Sequence, residues 1–117
     1  MKHFIIAMLL LLMGAFALNA QAIDAATGKI TYLRVSNYGD KYGPATDKMQ
    51  AEAVIKLDTK EGMAFGFQLH KDNDEIAHQD MLKLLQDAFA NNWKVTIDYL
   101  VLNNKKNLII VRAGVVK

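Results

Sequence analysis

The order of strand-like and helical segments is the feature that most constrains the fold of this 117-residue chain. Three segments with the composition of β-strands come first, one segment with helical periodicity follows, and two further strand-like segments end the chain. Few small folds place a single helix between their third and fourth strands. The order β-β-β-α-β-β therefore predicts a mainly β domain, a five-stranded β-barrel of the OB type.

The predicted strands differ in how regularly their apolar and polar side chains alternate. The third is the clearest, because its apolar residues recur at period two and place Phe65 and Phe67 on one face, which we expect to be the core. The second alternates apart from Val54, with Glu52, Lys56 and Asp58 on the face opposite its apolar residues. The first has apolar residues on both faces, which predicts either that both faces are partly covered or that a bulge or bend shifts the register midway. The predicted strands are 29–36, 51–58, 63–69, 94–102 and 108–111, with 115–116 as a candidate extension and 23–28 as a short leader.

One amphipathic helix is predicted over about 76–90, because apolar residues recur there at the spacing of a single helix face. The apolar stripe consists of Met81, Leu84, Leu85 and Ala88, broadened by Leu82 and Phe89. Asn73 or Asp74 is placed to cap the start of the helix. The pair Asn91-Asn92 suits the left-handed conformation in which many helices end.

The first 22 residues have the three parts of an export signal. Lys2 and His3 precede an apolar run, and Ala20-Gln21-Ala22 supplies the small-x-small pattern that a signal peptidase accepts. The apolar run is roughly 15 residues long, shorter than the roughly 20 residues that a membrane-spanning helix needs. We therefore expect cleavage after Ala22 and a periplasmic or secreted domain over 23–117. A retained N-terminal anchor is the alternative.

Composition narrows the function classes further. The chain has no Cys, so it has neither an acceptor for a lipid anchor nor a disulfide. Once Lys2 leaves with the signal peptide, thirteen basic and twelve acidic residues remain, and the domain is close to neutral. Since a neutral surface offers little counterion release, we expect no nucleic-acid partner. The remaining chain suffices for one hydrophobic core and contains no integral membrane segment.

Four stretches carry a resemblance to a known family: GKI at 28–30, FGFQL at 65–69, MLKLLQDAF at 81–89 and VTIDY at 95–99. With these stretches in this order, the chain resembles small secreted OB-fold proteins that include the pentameric B subunits of subtilase-type and pertussis-type bacterial toxins. The resemblance implies the OB fold, a glycan ligand and a homo-oligomer such as a pentamer.

The loop between the first two predicted strands is the candidate ligand site. Two glycines and the only proline of the chain indicate a loop over 37–44. Its tyrosine rings offer faces for stacking, and the polar residues beside them can recognise hydroxyl groups. The candidate ligand-binding residues are Ser36, Asn37, Tyr38, Asp40, Lys41 and Tyr42. The alternative is that the tyrosines only pack against the base of the loop.

Metal and catalytic sites have less support in the sequence. The histidines and acidic residues within 70–78 fit neither a zinc nor an EF-hand spacing, and we expect them to lie in a solvated loop and the helix start. These residues are His70, Asp72, Asp74, Glu75 and His78. The chain has no Cys nucleophile, and its only Ser lies outside any Gly-x-Ser-x-Gly context. We therefore expect no catalytic residues, no metal and no cofactor.

The sequence thus predicts an exported, non-enzymatic binding module with a glycan as its ligand. The alternative is a monomeric periplasmic protein that binds another protein or stabilises an envelope assembly. Trp93 is expected to anchor the fourth strand, and Lys105 and Lys106 are expected at the tip of a polar hairpin.

Overall fold

A computed structural model describes residues 22–70 and 72–117 of the chain. Over these residues the fold is mainly β with one α-helix, as the sequence predicts. In chain order the elements are β1 (Ile23–Val35), β2 (Lys41–Tyr42), β3 (Met49–Gln50), β4 (Ala53–Leu57), β5 (Ala64–Phe67), α1 (Glu75–Asn91), β6 (Lys94–Leu100) and β7 (Asn107–Val116). A short 3₁₀ turn over Asp72–Asp74 leads into α1. The predicted signal peptide, apart from Ala22, lies outside the described residues.

Five of the strands form one mixed sheet. Their hydrogen-bonded order is β1-β4-β5-β7-β6, and it returns to its start because β1 also pairs with β6. The β5–β7 pair is parallel and the other pairs of this sheet are antiparallel. The short strands β2 and β3 pair only with each other, in the segment that joins β1 to β4. This arrangement places α1 between β5 and β6 along the chain.

Strand β1 is longer than predicted, and it pairs with two other strands. Residues 23–29 pair with β6, residues 30–35 pair with β4, and the register shifts between Ile30 and Tyr32. The bulge or bend predicted from apolar residues on both faces is therefore confirmed. The assignment of 23–28 as a leader is wrong, because these residues pair with β6 from Ile23 onwards. Asp24, Ala25, Ala26 and Gly28 are residue types with low strand propensity, which is why this stretch was not recognised as a strand.

The core lies between the sheet and α1. Phe65 and Phe67 are fully buried, which confirms the face predicted from their period-two spacing. The ring of Phe65 packs at 4.9 Å from that of Tyr99, which faces the same core from β6. The other buried side chains of this core are Ala26, Ile30, Ala53, Ile55, Leu57, Leu85, Ala88, Val95, Ile97, Leu108 and Ile110.

The helix begins and ends within one residue of the predicted limits. Leu85 and Ala88 are buried, whereas Phe89, at the margin of the predicted stripe, is 45% exposed. Asp74 occupies the N-cap position but makes no side-chain capping hydrogen bond. Asn92 adopts the predicted left-handed conformation with φ of 57°. In the described part of the chain, no helix has the length and apolarity needed to cross a membrane.

A second, smaller cluster covers the outer side of the sheet. It consists of Met49, Ala51, Val54 and Ala64, with Tyr42 and Ile109 packed against it. Residues 42–51, which run from β2 to just before β4, therefore lie over the outer side of β4 and β5. We call these residues the covering segment. The alternation of the strand places Glu52 on the polar face with Lys56 and Asp58, but Glu52 is only 2% exposed. The covering segment explains this difference, because it turns the first part of that face into an interior.

Candidate binding site

The candidate loop, Ser36–Tyr42, begins where β1 ends. The backbone N–H and the hydroxyl of Ser36 both donate to the carbonyl oxygen of Glu52, at 3.0 and 3.3 Å. The Asp40 N–H donates to the Asn37 carbonyl at 3.2 Å and closes a tight turn. Gly39 lies inside that turn with φ of 76°, a conformation that costs glycine little. The loop is therefore tied to the segment before β4 at one point and closed by its own turn at another.

Tyr38 is the most exposed aromatic side chain of the loop. Its side chain is 64% exposed, and its ring meets that of His70 edge-on, with the ring centroids 3.9 Å apart. His70 Nδ1 in turn lies 2.6 Å from a carboxylate oxygen of Glu75 in the first turn of α1. Tyr38 is thus held by a chain of contacts that reaches the helix while most of its surface faces solvent.

His70 and Glu75 were not predicted as neighbours of the loop. The sequence analysis placed them in a solvated loop and at the helix start, about 30 residues along the chain from Tyr38. No local sequence signal indicates this contact, because it depends on how the β1–β4 connection lies relative to the end of β5. Among the described residues, no group of three or more His, Cys, Asp or Glu side chains is placed to hold a metal ion.

Asp40 carries the negative charge of the loop. The Lys41 N–H donates to its carboxylate at 2.8 Å, and Arg34 Nη2 lies 3.9 Å from its other oxygen. The pKa of Asp40 is lowered below its ordinary value of 3.8, first by the hydrogen bond from the Lys41 N–H, then by the neighbouring Ser36 hydroxyl and, more weakly, by the charge of Arg34. Asp40 is therefore an ionised acceptor at neutral pH.

We expect an NMR titration of the Asp40 carboxyl group to give a pKa below 3.8. Because folding lowers the pKa of Asp40, its ionised carboxylate stabilises the folded loop. This stabilisation is fully present at pH values above the ordinary pKa and is lost as the pH falls through the lowered pKa. A value at or above 3.8 would mean that the turn around Asp40 does not form in solution.

Tyr42 differs from Tyr38, because it faces the protein. Its side chain is partly buried against the outer cluster, and the guanidinium carbon of Arg34 lies 5.2 Å from its ring centroid. Arg34 Nη2 also donates to the Ala51 carbonyl at 3.1 Å, so this arginine connects the ring to the covering segment. Lys41 is exposed and pairs through its backbone with Gln50. Tyr42 therefore packs against the base of the loop, whereas the ring of Tyr38 is exposed.

Glu52 lies beneath the loop and was not predicted as part of the site. Its carbonyl accepts both hydrogen bonds from Ser36, and one carboxylate oxygen accepts the Leu69 N–H at 3.1 Å. Its other carboxylate oxygen is buried and has no hydrogen-bond partner in the described part of the chain. One feature of the sequence does indicate that Glu52 is buried. The apolar Val54 lies on the same face of the strand and breaks the alternation expected of an exposed face.

The Asp47 side chain joins the loop region to the hairpin between β6 and β7. One carboxylate oxygen accepts the Lys106 N–H at 2.7 Å, and the Asp47 carbonyl accepts the side-chain amide of Asn107 at 2.9 Å. Lys105 also donates to the Lys48 carbonyl at 3.3 Å. The polar hairpin predicted around these lysines is thus bound to the β1–β4 connection and is not a free tip.

A separate groove of about 890 Å³ lies between α1 and β7, and none of the six predicted ligand-binding residues lines it. Its apolar lining includes Met49, Phe67, Met81, Leu84 and Ile109. The sequence analysis did not predict this groove, because its lining residues come from several elements (β3, β5, α1, β6 and β7) spread over residues 48–113 of the chain.

Comparison with known proteins adds no relative: no protein-family model matches this chain, and no curated protein matches it.

Proposed function

We propose that this protein is an exported, non-enzymatic binding module whose Ser36–Tyr42 loop binds a glycan. The observation that carries this proposal is the state of Tyr38, an exposed ring held in place by His70 on a rigid scaffold. Sugar rings have apolar C–H faces that pack on aromatic rings, and their hydroxyl groups need hydrogen-bonding partners close by. Asn37 and the ionised Asp40 lie in the same turn as Tyr38.

We propose the OB-type barrel as the architecture of this module. Three features support it: the position of α1 between the third and fourth long strands, the closed strand order, and a first strand that bends between two partners. In OB folds, the outer side of the second and third strands and the adjacent loops bind oligonucleotides or oligosaccharides. Here the covering segment occupies that outer side, so the loop is the part that remains accessible.

The covering segment and the near-neutral charge also support a ligand other than nucleic acid. Single-stranded nucleic acid binds exposed aromatic platforms within a basic groove. The aromatic residues of β5 are in the core, and Met49 and Ala51 lie over the opposite side of the strand. The charge balance of the domain supplies little attraction for phosphates.

Export is part of the proposal. Cleavage after Ala22 would leave β1 intact, because the ladder with β6 begins at Ile23. The processed domain would then be periplasmic or secreted, and the resemblance to toxin B subunits adds a homo-oligomer to the proposal. Edman sequencing or mass spectrometry of the protein recovered from an expressing bacterium would locate the cleavage site.

A glycan array followed by titration of the best ligand tests the binding site. We expect Tyr38→Ala to weaken binding by about tenfold or more, since aromatic stacking contributes roughly 0.5–1.5 kcal/mol beyond the buried area. Phe89→Ala is the matched control, because Phe89 is also an exposed aromatic residue but lies on α1. We expect this control to bind as the parent does.

Two results would contradict the glycan proposal. One is a chain that binds no glycan on the array. The other is equal binding by the parent and Tyr38→Ala while both remain folded. Either result would favour the alternative, a protein that interacts with another envelope protein, for which cross-linking in the periplasm is the direct test.

A further inference from the structure

The exposed ring of Tyr38 lies beside a histidine whose proton is placed by a neighbouring carboxylate. His70 Nδ1 lies 2.6 Å from Glu75 Oε1, and the side-chain amide of Gln79, one turn later in α1, donates to the same oxygen at 3.4 Å. Because an ionised carboxylate only accepts hydrogen bonds, the hydrogen in the contact between His70 and Glu75 belongs to the imidazole ring. Glu75 therefore fixes the tautomer of the neutral His70 ring, with the proton on Nδ1.

The other ring nitrogen of His70 is the one that a ligand can use. Among the described residues, Nδ1 is the only ring nitrogen of His70 with a hydrogen-bond partner, and the His70 side chain is 33% exposed. When Nδ1 carries the proton of the neutral ring, Nε2 keeps a lone pair and accepts hydrogen bonds. His70 thus offers an acceptor beside the Tyr38 ring, whose centroid lies 3.9 Å from the centroid of the histidine ring.

A second acceptor lies in the same turn as Tyr38. The Asp40 side chain is 49% exposed, and it is ionised at neutral pH because the hydrogen bond from the Lys41 N–H lowers its pKa. Hydrogen bonds from a hydroxyl group to a carboxylate are charge-assisted and stronger than those between neutral groups. Asp40 and His70 both accept hydrogen bonds, and the hydroxyl groups of a sugar donate them.

The cationic side chains of this region offer little to an anionic ligand. Arg34 is already engaged, because its Nη2 donates to the Ala51 carbonyl at 3.1 Å and its Nε is buried. In the part of the chain that the structure describes, the loop and the side chains that support Tyr38 expose two carboxylates, Asp40 and Glu75, and one ammonium group, that of Lys41. A ligand with a carboxylate of its own would meet like charge here, which lowers affinity.

We infer that the loop binds a neutral sugar, whose apolar face packs on Tyr38 while its hydroxyl groups donate to His70 Nε2 and to the Asp40 carboxylate. His70 is then a ligand-binding residue, and Glu75 is a positioning residue that acts through the tautomer of His70. Acidic sugars, such as sialic and uronic acids, are disfavoured. This inference rests on the proposed function, since it names the class of glycan that the loop binds.

NMR of the imidazole nitrogens tests the tautomer without any glycan. The protein is expressed from its full reading frame with ¹⁵N label, and His70→Phe identifies the signals of His70. At a pH at which the ring is neutral, we expect Nδ1 to carry the proton and Nε2 to be bare. The amide of Glu75→Gln can donate to Nδ1, so we expect the form with the proton on Nε2 to become more populated in that variant. Asp87→Asn, which changes an exposed acid in a later turn of α1, should keep the tautomer of the parent.

A glycan array with matched pairs tests the class of sugar. Each neutral oligosaccharide is printed beside its sialylated counterpart, as lactose beside sialyllactose. We expect the parent and Asp87→Asn to bind the neutral members about tenfold or more tightly than the sialylated ones. His70→Phe keeps an aromatic ring but has no acceptor, so we expect it to bind the best neutral oligosaccharide about tenfold more weakly. Glu75→Gln should weaken the same oligosaccharide by about threefold to tenfold, and circular dichroism establishes that each variant is folded.

The possible results separate this inference from the proposed function. Preference for the sialylated members, with binding lost in Tyr38→Ala, would leave the glycan proposal standing and overturn the inference. A His70 ring with its proton on Nε2, or a folded His70→Phe variant that binds as the parent does, would also overturn it. A parent that binds no member of any pair would overturn the proposed function and the inference together.

Discussion

Gly66→Ala is expected to lower the free energy of unfolding by about 1–3 kcal/mol, although it adds a single methyl group to a strand. A Cβ atom at this position would lie 2.6 Å from the Ala53 carbonyl oxygen, 2.8 Å from the Ala51 Cβ and 2.9 Å from the Met49 Cε. The nearest of these atoms belongs to the backbone of β4 and cannot move aside without disturbing the sheet. Unfolding in urea, compared at equal m-values, measures the loss.

Gly114→Ala is the matched control for this prediction. Gly114 is also a strand glycine, but no heavy atom lies within 4 Å of where its Cβ would be, and its φ is not positive. Alanine there should leave stability unchanged or raise it by about 0.4–1 kcal/mol, because it reduces the freedom of the unfolded chain. Equal stability of the two variants would show that residues 49–51 do not lie against β5 as described.

The elements whose signal is local could be predicted from the sequence. The buried face of β5 follows from period-two alternation, and the limits of α1 follow from its apolar stripe and the asparagine at its end. The mainly β character with one helix follows from the same patterns. Each of these features depends on residues within a few positions of one another, which is the range over which a sequence pattern carries information.

Features that depend on distant segments were missed. Residues 23–28 read as a leader because Ala25, Ala26 and Gly28 have low strand propensity, yet pairing with β6 makes them a strand. The covering of the second side of β5 was not predicted, because no residue near Gly66 in the sequence shows that Met49 and Ala51 lie against it. The candidate loop was recognised from its glycines and tyrosines, but its contact with His70 was not, since the two are joined only by the fold.

Glu52→Ala is the second substitution with a large expected effect, a loss of about 1–3 kcal/mol in the free energy of unfolding. The carboxylate of Glu52 accepts the Leu69 N–H, and Glu52 is 2% exposed, so its truncation leaves the partly buried Leu69 donor without its protein partner. The truncated side chain also leaves a cavity beneath the candidate loop, which adds to the loss. Glu61→Ala, at an exposed position in the turn before β5, should change stability by less than about 0.5 kcal/mol.

Glu52→Gln separates the hydrogen bond from the charge. Glutamine keeps an oxygen for the Leu69 N–H and places an uncharged amide where Glu52 has a buried oxygen without a partner in the described part of the chain. If the hydrogen bond is what matters, Glu52→Gln should lie within about 1 kcal/mol of the parent, far closer to it than Glu52→Ala. The two bonds from Ser36 go to the backbone carbonyl of Glu52, so both variants retain them and the Tyr38 contact with His70 should persist. A glutamine variant as unstable as the alanine variant would instead mean that the buried negative charge itself is required.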